Sequence, residues 1–253
     1  MKQRLDQALV QRGFLATRSQ AESYIKLGAV TVDGRVITKP GTPVGDDNVL
    51  RLEAKEQYVS RAGLKLASVA ETFNLDFQDK VVLDVGSSTG GFTDYALQHG
   101  AARVIAIEVG TNQLHPSLRT NPKIELHEKT DIRQVGIAQG PVIERPDIVL
   151  IDVSFISLQD ILPTVVRLAH SRTQVVAMVK PQFEATAIRL KHKGVIKNDA
   201  MRRDILKHFE DWVRGTFSIV TKADSEVAGA KGNRERFYLL RPLKAATDLQ
   251  KRP

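Results

Sequence analysis

The chain contains no cysteine, which excludes disulfides and thiolate zinc sites. It has no apolar run near the roughly 18 to 20 residues that a membrane-spanning helix needs. Its start, Met1-Lys-Gln-Arg-Leu-Asp, leads into an amphipathic pattern rather than a continuous apolar segment, so no signal peptide is expected. No lysine follows a glycine turn in the spacing of a P-loop. The 6 histidines show no ligand spacing, and no metal is expected. Acidic residues are under-represented: 29 Asp and Glu stand against 37 Lys and Arg, for a net charge of +8. Together with a pI near 9.7, that points to a polyanionic partner, nucleic acid before membrane. These absences fit a cytoplasmic protein without stable membrane association. What is present is globular: 253 residues, 42% hydrophobic, enough for one large domain or two unequal ones.

The stretch Val81-Val-Leu-Asp-Val-Gly-Ser-Ser-Thr-Gly-Gly-Phe-Thr-Asp94 organises the rest. Its apolar start predicts a buried parallel strand over 81–85, and a helical pattern runs through Leu97. Glycines between strand and helix let a ligand approach the backbone and direct helix-start N–H groups into a cleft. Ser88 replaces the middle glycine of the dinucleotide fingerprint. With Asp84 ahead of Gly86 and the spacing G-x-x-x-G-G, the turn resembles the first motif of S-adenosylmethionine (SAM) methyltransferases. The resemblance implies cofactor contacts from Asp84, Gly86, Ser87, Ser88, Thr89, Gly90, Gly91 and Phe92, with Asp152, at the end of another strand, added to the cofactor set. A tight strand–helix turn without a ligand is the alternative.

Residues 1–54 read as a small basic module. Leu5, Leu9 and Val10 recur at helical spacing up to Gly13. Thr17-Arg-Ser-Gln20 is a capping box that opens a second helix, which stops at Gly28. Asp33-Gly34 supplies a two-residue hairpin turn between strands at 30–32 and 35–37. Residues 39–43 read as a loop, and 49–52 as a closing strand. Residues 1–40 carry a net charge of +4. Arg4, Arg12, Arg18 and Lys26 lie on or beside the helices, suited to a phosphate backbone; ordinary solvated charges are the alternative. On Arg4-Leu-Asp6, Arg18-Ser-Gln-Ala21, Ile25, Gly28 and Val30-Thr-Val-Asp-Gly34, the stretch resembles the S4 RNA-binding domain. A domain of that kind reads RNA shape and backbone.

A linker is expected at 55–62, then a domain over 63–245 and a tail over 246–253. Strands at 80–85, 103–108, 124–126, 147–152 and 174–180 alternate with helices. Strand 174–180 is stopped by Pro181 and followed by a basic loop. A helix from Asp199 and strands at 217–221 and 236–240 close the chain. The expected fold is α/β, a doubly wound, mostly parallel, Rossmann-like sheet with a small N-terminal α+β domain. Ligands sit outside the carboxyl ends of such strands. Glu108, 22 positions after Gly86, is placed to accept ribose hydroxyls, and Asp131 to accept from an adenine amino group. Each alternatively reads as a helix cap or a solvated acid. Asp152 and Lys180 end neighbouring strands and together suggest an acid–base site. The stretch 189–203, net +5, holds Arg189, Lys191 and Lys193 and is placed to grip RNA.

Ser60-Arg-Ala-Gly-Leu-Lys65, the glycine turn, Asp152-Val-Ser-Phe-Ile-Ser157, Lys180-Pro-Gln-Phe-Glu184 and Gly232-Asn-Arg-Glu235 occur in that order. Together they resemble the TlyA family, an S4 domain fused to an FtsJ-like ribosomal RNA 2′-O-methyltransferase, often named haemolysin. The resemblance implies a catalytic tetrad of Lys65, Asp152, Lys180 and Glu235, SAM as cofactor, and ribosomal RNA or a ribosomal subunit as partner, with Arg61 added to the RNA-binding set. It implies that Lys180 steers and deprotonates a cytidine 2′-hydroxyl. The chain departs from the family at Gly194-Val-Ile-Lys-Asn198 and in the segment 225–233, both on expected substrate loops. A non-catalytic S4 protein that keeps a SAM site and a membrane-active haemolysin are the rival readings. The second would need a secretion signal or insertion segment, and the sequence shows neither.

Overall fold

The computed structural model describes residues 2–53, 58–136, 144–188, 190, 194–227, 229 and 232–244. The chain opens with β1 (Gln3–Arg4), α1 (Leu5–Gln11) and α2 (Arg18–Lys26). The short strands β2 (Val30–Val32), β3 (Arg35–Val36), β4 (Pro43–Val44) and β5 (Leu50–Leu52) follow. Leu5, Leu9, Tyr24, Ile25, Val30 and Val44 are fully or almost fully buried and form the core of this unit. The capping box closes as expected: Gln20 N–H donates to Thr17 Oγ1 at 3.2 Å, and Thr17 N–H to Gln20 Oε1 at 3.1 Å. Asp33 and Gly34 take φ of 50° and 77°, the left-handed pair that a tight hairpin between β2 and β3 requires. β5 pairs on the other side of β2. β1 and β4 pair with each other inside segments that read as a loop and a helix start. Two residues are too few to show a strand period.

Next come α3 (Arg61–Ala70), β6 (Val81–Val85), α4 (Gly91–Gln98), β7 (Arg103–Ile107) and β8 (Ile124–His127). β9 (Ile148–Ile151), α5 (Leu158–Leu168) and β10 (Gln174–Val179) continue the alternation. The chain ends through α6 (Pro181–Ala187), α7 (Asp199–Val213), β11 (Phe217–Asp224) and β12 (Arg236–Pro242). One seven-stranded sheet runs β11-β12-β10-β9-β6-β7-β8. β6 to β10 are mutually parallel, and β12 is antiparallel to both β10 and β11. This is the mixed, mostly parallel sheet that the alternation predicts. One expectation is corrected. The basic loop expected directly after Pro181 begins instead as helix α6, with Pro181 in its first turn. Proline suits that position because its missing N–H would be unpaired there anyway.

The strands are apolar on both sides because helices cover both. Leu83, Val85, Ile105, Ile107, Val149 and Ile151 pack with Leu162 and Val165 of α5 and with Phe209 and Val213 of α7. Val82, Val104, Ile148, Leu150 and Val176 face α3 and α4 through Leu66, Val69, Tyr95 and Ala96. Each such side chain, fully buried, contributes about 1.5–3 kcal/mol. From β6 the chain winds outward to β7 and β8, then returns to β9 on the opposite side of β6. The order reverses between β6 and β9, and there the sheet opens a crevice at its carboxyl edge. No helix among the described residues is long and apolar enough to cross a membrane.

Candidate active site

The crevice is a cavity of about 600 Å³ lined from β6, β7, β9 and the turns that follow them. That volume is in the usual range for small-molecule sites. The glycine turn forms one wall. Gly86, Ser88 and Gly90 have φ of 81°, 47° and 88°. A Cβ on Gly86 would lie 2.7 Å from the Asp152 carbonyl oxygen, so only glycine lets the turn after β6 approach the end of β9 so closely. Gly90 caps α4 in the left-handed conformation.

Glu108 follows β7 and ties the turn to it. Its carboxylate accepts from Ser88 N–H at 2.9 Å and Gly110 N–H at 2.7 Å. Asp131 also lines the cavity, but Arg133 grips it through both carboxylate oxygens, and that contact holds its carboxyl below the usual range. Asp84 is fully buried under the turn and accepts from Thr93 Oγ1 at 2.6 Å; its Oδ1 has no partner. Burial first, then the negative charges of Asp152 and Glu108, push its carboxyl up to about 7 against that hydrogen bond. Ser87 Oγ is likewise buried without a partner.

Of the expected cofactor residues, Gly86, Ser88, Glu108, Asp131 and Asp152 line the cavity. Thr89 is exposed beyond it. Gly90 and Gly91 shape the turn, and a side chain on Gly91 would collide with α3. Phe92 is corrected to a core residue: it is buried on the far side of the turn, its ring centroid 6.2 Å from that of Phe237.

The four expected catalytic residues converge at the carboxyl edge as two ion pairs. Lys180 Nζ lies 2.6 Å from Asp152 Oδ1, and Lys65 Nζ lies 2.5 Å from Glu235 Oε2. Lys65, Lys180 and Glu235 are buried, and Asp152 is partly so. The register explains the convergence. Val179 of β10 is opposite Arg236 of β12, which brings Lys180 beside Glu235, and Ala177 is opposite Ile151, which brings Asp152 alongside. Lys65 reaches the group from α3.

Three residues escaped the sequence reading. Ser154 Oγ lies 2.8 Å from Lys180 Nζ. Phe155 is 91% exposed and holds φ of 66°, a left-handed conformation that strains a bulky side chain. Its ring centroid is 5.2 Å from that of Phe183. Arg133 completes the cavity wall. Ser154 and Phe155 stand inside the Asp152–Ser157 motif, but their spacing carries no sign of a bond to Lys180 or of a positive φ.

The expected RNA-binding residues divide. Arg4 forks onto the buried Asp6 through two nitrogens, at 3.0 and 2.9 Å, Arg18 adds one bond from Nε at 2.8 Å, and both stay about half exposed. Arg12 spends its guanidinium on the carbonyls of Asn48 and Gly45, at 2.8 and 2.6 Å, which makes it a brace for that loop. Lys26 is exposed and 4.0 Å from Glu22. Arg61 starts α3, partly buried. Arg189, Lys191 and Lys193 lie outside the described residues.

The chain matches the FtsJ-like methyltransferase family over residues 58–241 and the S4 domain over residues 3–50. It is 37% identical to the 16S/23S rRNA (cytidine-2'-O)-methyltransferase TlyA of Mycobacterium tuberculosis (strain H37Rv), over 94% of this chain and 89% of that protein. It is 34% identical to the protein named Hemolysin A of Brachyspira hyodysenteriae, over 92% of this chain and 97% of that one. A solved hemolysin-named structure from Streptococcus thermophilus is similar with a TM-score of 0.71 and 35% identity, over 99% of this chain and 92% of that one. Two domains in this order, matched along almost the whole chain, place the protein in the TlyA family of S4-linked, FtsJ-like methyltransferases.

Proposed function

We propose that the protein transfers a methyl group from SAM to the 2′-hydroxyl of a cytidine in ribosomal RNA. The observation that carries this reading is the two ion pairs, Lys180–Asp152 and Lys65–Glu235, at the carboxyl edge of the sheet, with Asp152 in the cavity wall. SAM supplies a methyl group already activated on a sulfonium. The enzyme's own task is therefore to align a poor nucleophile and accept its proton.

The cavity suits a cationic adenosyl ligand. Glu108 and Asp131 supply acceptors at the ends of β7 and β8, and Asp84 and Ser87 hold unpartnered buried oxygens behind the turn. Glu108 is assigned to the ribose hydroxyls. Asp131, already engaged by Arg133, is assigned to the adenine edge. Lys180 steers the 2′-hydroxyl and, in its free-amine form, takes the proton to become the ammonium that pairs with Asp152, while Asp152 and Ser154 fix the amine in place. Glu235, brought beside Lys180 by the register of β10 and β12, carries Lys65 into the same group. Phe155, aromatic and exposed beside Lys180, offers a stacking face to a base, the usual means of holding an unstacked nucleotide.

Segment 1–54 delivers the RNA through Arg4 and Arg18, and segment 63–245 carries out the transfer, with 55–62 as the linker and 246–253 as a tail. The site of action is the cytoplasm, where ribosomal subunits are met. The test offers labelled SAM to free RNA, isolated small and large subunits and intact ribosomes, and maps the modified nucleotide. Label on a cytidine ribose is the expected result; absence of transfer to every RNA would leave a SAM-binding S4 protein.

A further inference from the structure

Two motifs each end in a residue with no part in the tetrad: Ser157 and Glu184. The fold brings them together. Glu184 is buried in α6, one helical turn beyond Lys180, and only 2% exposed. Its Oε2 is 2.6 Å from Ser157 Oγ, and its Oε1 accepts from Leu158 N–H at 2.8 Å. Ser157 caps α5, accepting from Gln159 N–H at 3.0 Å. The Glu184 carboxylate thus sits on the first turn of α5, where unpaired N–H groups and the helix dipole favour an anion.

The same two segments touch at a second point. Lys180, just before α6, meets Asp152 and Ser154 in the loop between β9 and α5. That loop is therefore pinned at both ends against one helix. Lys180 holds its start, and Glu184 holds its finish. Phe155, with its strained φ, lies between the two pins. A left-handed phenylalanine persists only where its surroundings over-determine it. An apolar contact could bury the same area, but it would not fix a rotation. Two carboxylate oxygens on two different donors set both distance and orientation.

We propose that Glu184 is a positioning residue: its buried carboxylate locks the loop carrying Asp152, Ser154 and Phe155 onto the helix that begins beside Lys180. The proposal rests on Lys180 being the proton acceptor. The brace closes in either protonation state of Glu184. The ionised form accepts from both donors. The neutral form donates to Ser157 Oγ and still accepts from Leu158 N–H. Burial raises its carboxyl above the ordinary range despite these hydrogen bonds. Glutamine reproduces that second pattern.

The test uses the full chain, tritiated SAM and ribosomal subunits that lack the modification. Glu184→Ala is expected to lower kcat by about 10²-fold, the usual penalty for roughly 1 Å of misplacement at a reacting group. The Kd for SAM and the KM for RNA should hold. Glu184→Gln should recover most of kcat with an unchanged pH profile. Ser157→Ala should lower kcat less than Glu184→Ala, and the double variant should be no worse than Glu184→Ala alone. Hydrogen exchange reads the brace without any activity: the Leu158 amide should exchange faster in Glu184→Ala, while the amides of β10 stay protected. If Lys180→Ala is inactive but Glu184→Ala and Ser157→Ala turn over like the wild type, the brace has no catalytic role. If kcat and SAM affinity fall together in Glu184→Ala and in Glu184→Gln, the residue is merely structural. Full activity in Lys180→Ala would instead sink the assignment of Lys180 and leave the exchange result to judge the brace.

Discussion

Lys65 Nζ lies 2.5 Å from Glu235 Oε2, and both side chains are over nine-tenths shielded from solvent. Removing one member of such a pair leaves an uncompensated buried charge. Lys65→Met is therefore expected to lose about 3–5 kcal/mol of stability. The double variant Lys65→Met/Glu235→Leu should regain much of that stability and none of the turnover. Urea denaturation and methyl transfer, measured on the same samples, separate the two effects. Equal stability of single and double variants would show that the pair is not coupled.

Lys180→Ala is expected to lower turnover by at least about 10²–10⁴-fold, the usual contribution of a positioned proton acceptor. SAM binding should survive, because the cavity is lined from the ends of β6, β7 and β9 and the turns after β6 to β9, and Lys180 is not among the lining residues. Near-normal methylation by this variant would refute its role.

Glu108 supports the glycine turn as well as facing the cavity. Glu108→Ala should therefore weaken SAM binding more than Asp131→Ala does. Hydrogen bonds to a charged group contribute about 1.5–3 kcal/mol, so a loss of roughly 10- to 100-fold is expected by calorimetry. A larger effect from Asp131→Ala would reverse the assignment of the two acids.

Asp84 titrates near 7 in the folded chain against 3.8 for an ordinary aspartate. Its folded value is the higher one. The stability it contributes is therefore complete below about pH 4 and is lost as the pH rises toward 7. Urea midpoints of the SAM-free wild type should fall across that window relative to Asp84→Asn. Parallel profiles would place the titration elsewhere.

Arg4 and Arg18 are presented by Asp6, whereas Arg12 is spent on carbonyls. Replacing Arg4 and Arg18 with glutamine should flatten the salt dependence of RNA binding, by roughly 0.7–0.9 in slope for each phosphate no longer neutralised. Arg12→Ala should lower stability and leave that slope alone. A changed slope in Arg12→Ala alone would return it to the RNA surface.

The outline of the protein was legible from the order of its residues. The short, largely apolar runs at 81–85 and 174–179 read as strands buried on both faces, and the capping box at Thr17 and the turn at Asp33-Gly34 are local chemistry. The glycine spacing located the turn, because positive φ and close approach leave few other residues admissible. Local pattern was also silent on tertiary partners in definite places. Phe92 stands in the glycine motif, but its side chain turns away into the core against Phe237. Arg12 read as a phosphate ligand because nothing local reveals the carbonyls of Gly45 and Asn48. Folding in three dimensions was needed to divide the tetrad into two ion pairs, to bring Ser154 onto Lys180, to hold Phe155 exposed and to carry Glu184 to Ser157. Each of these depends on strand register and on helices from distant segments meeting at one edge of the sheet. A one-dimensional pattern sets which face a residue takes, but not which remote partner faces it.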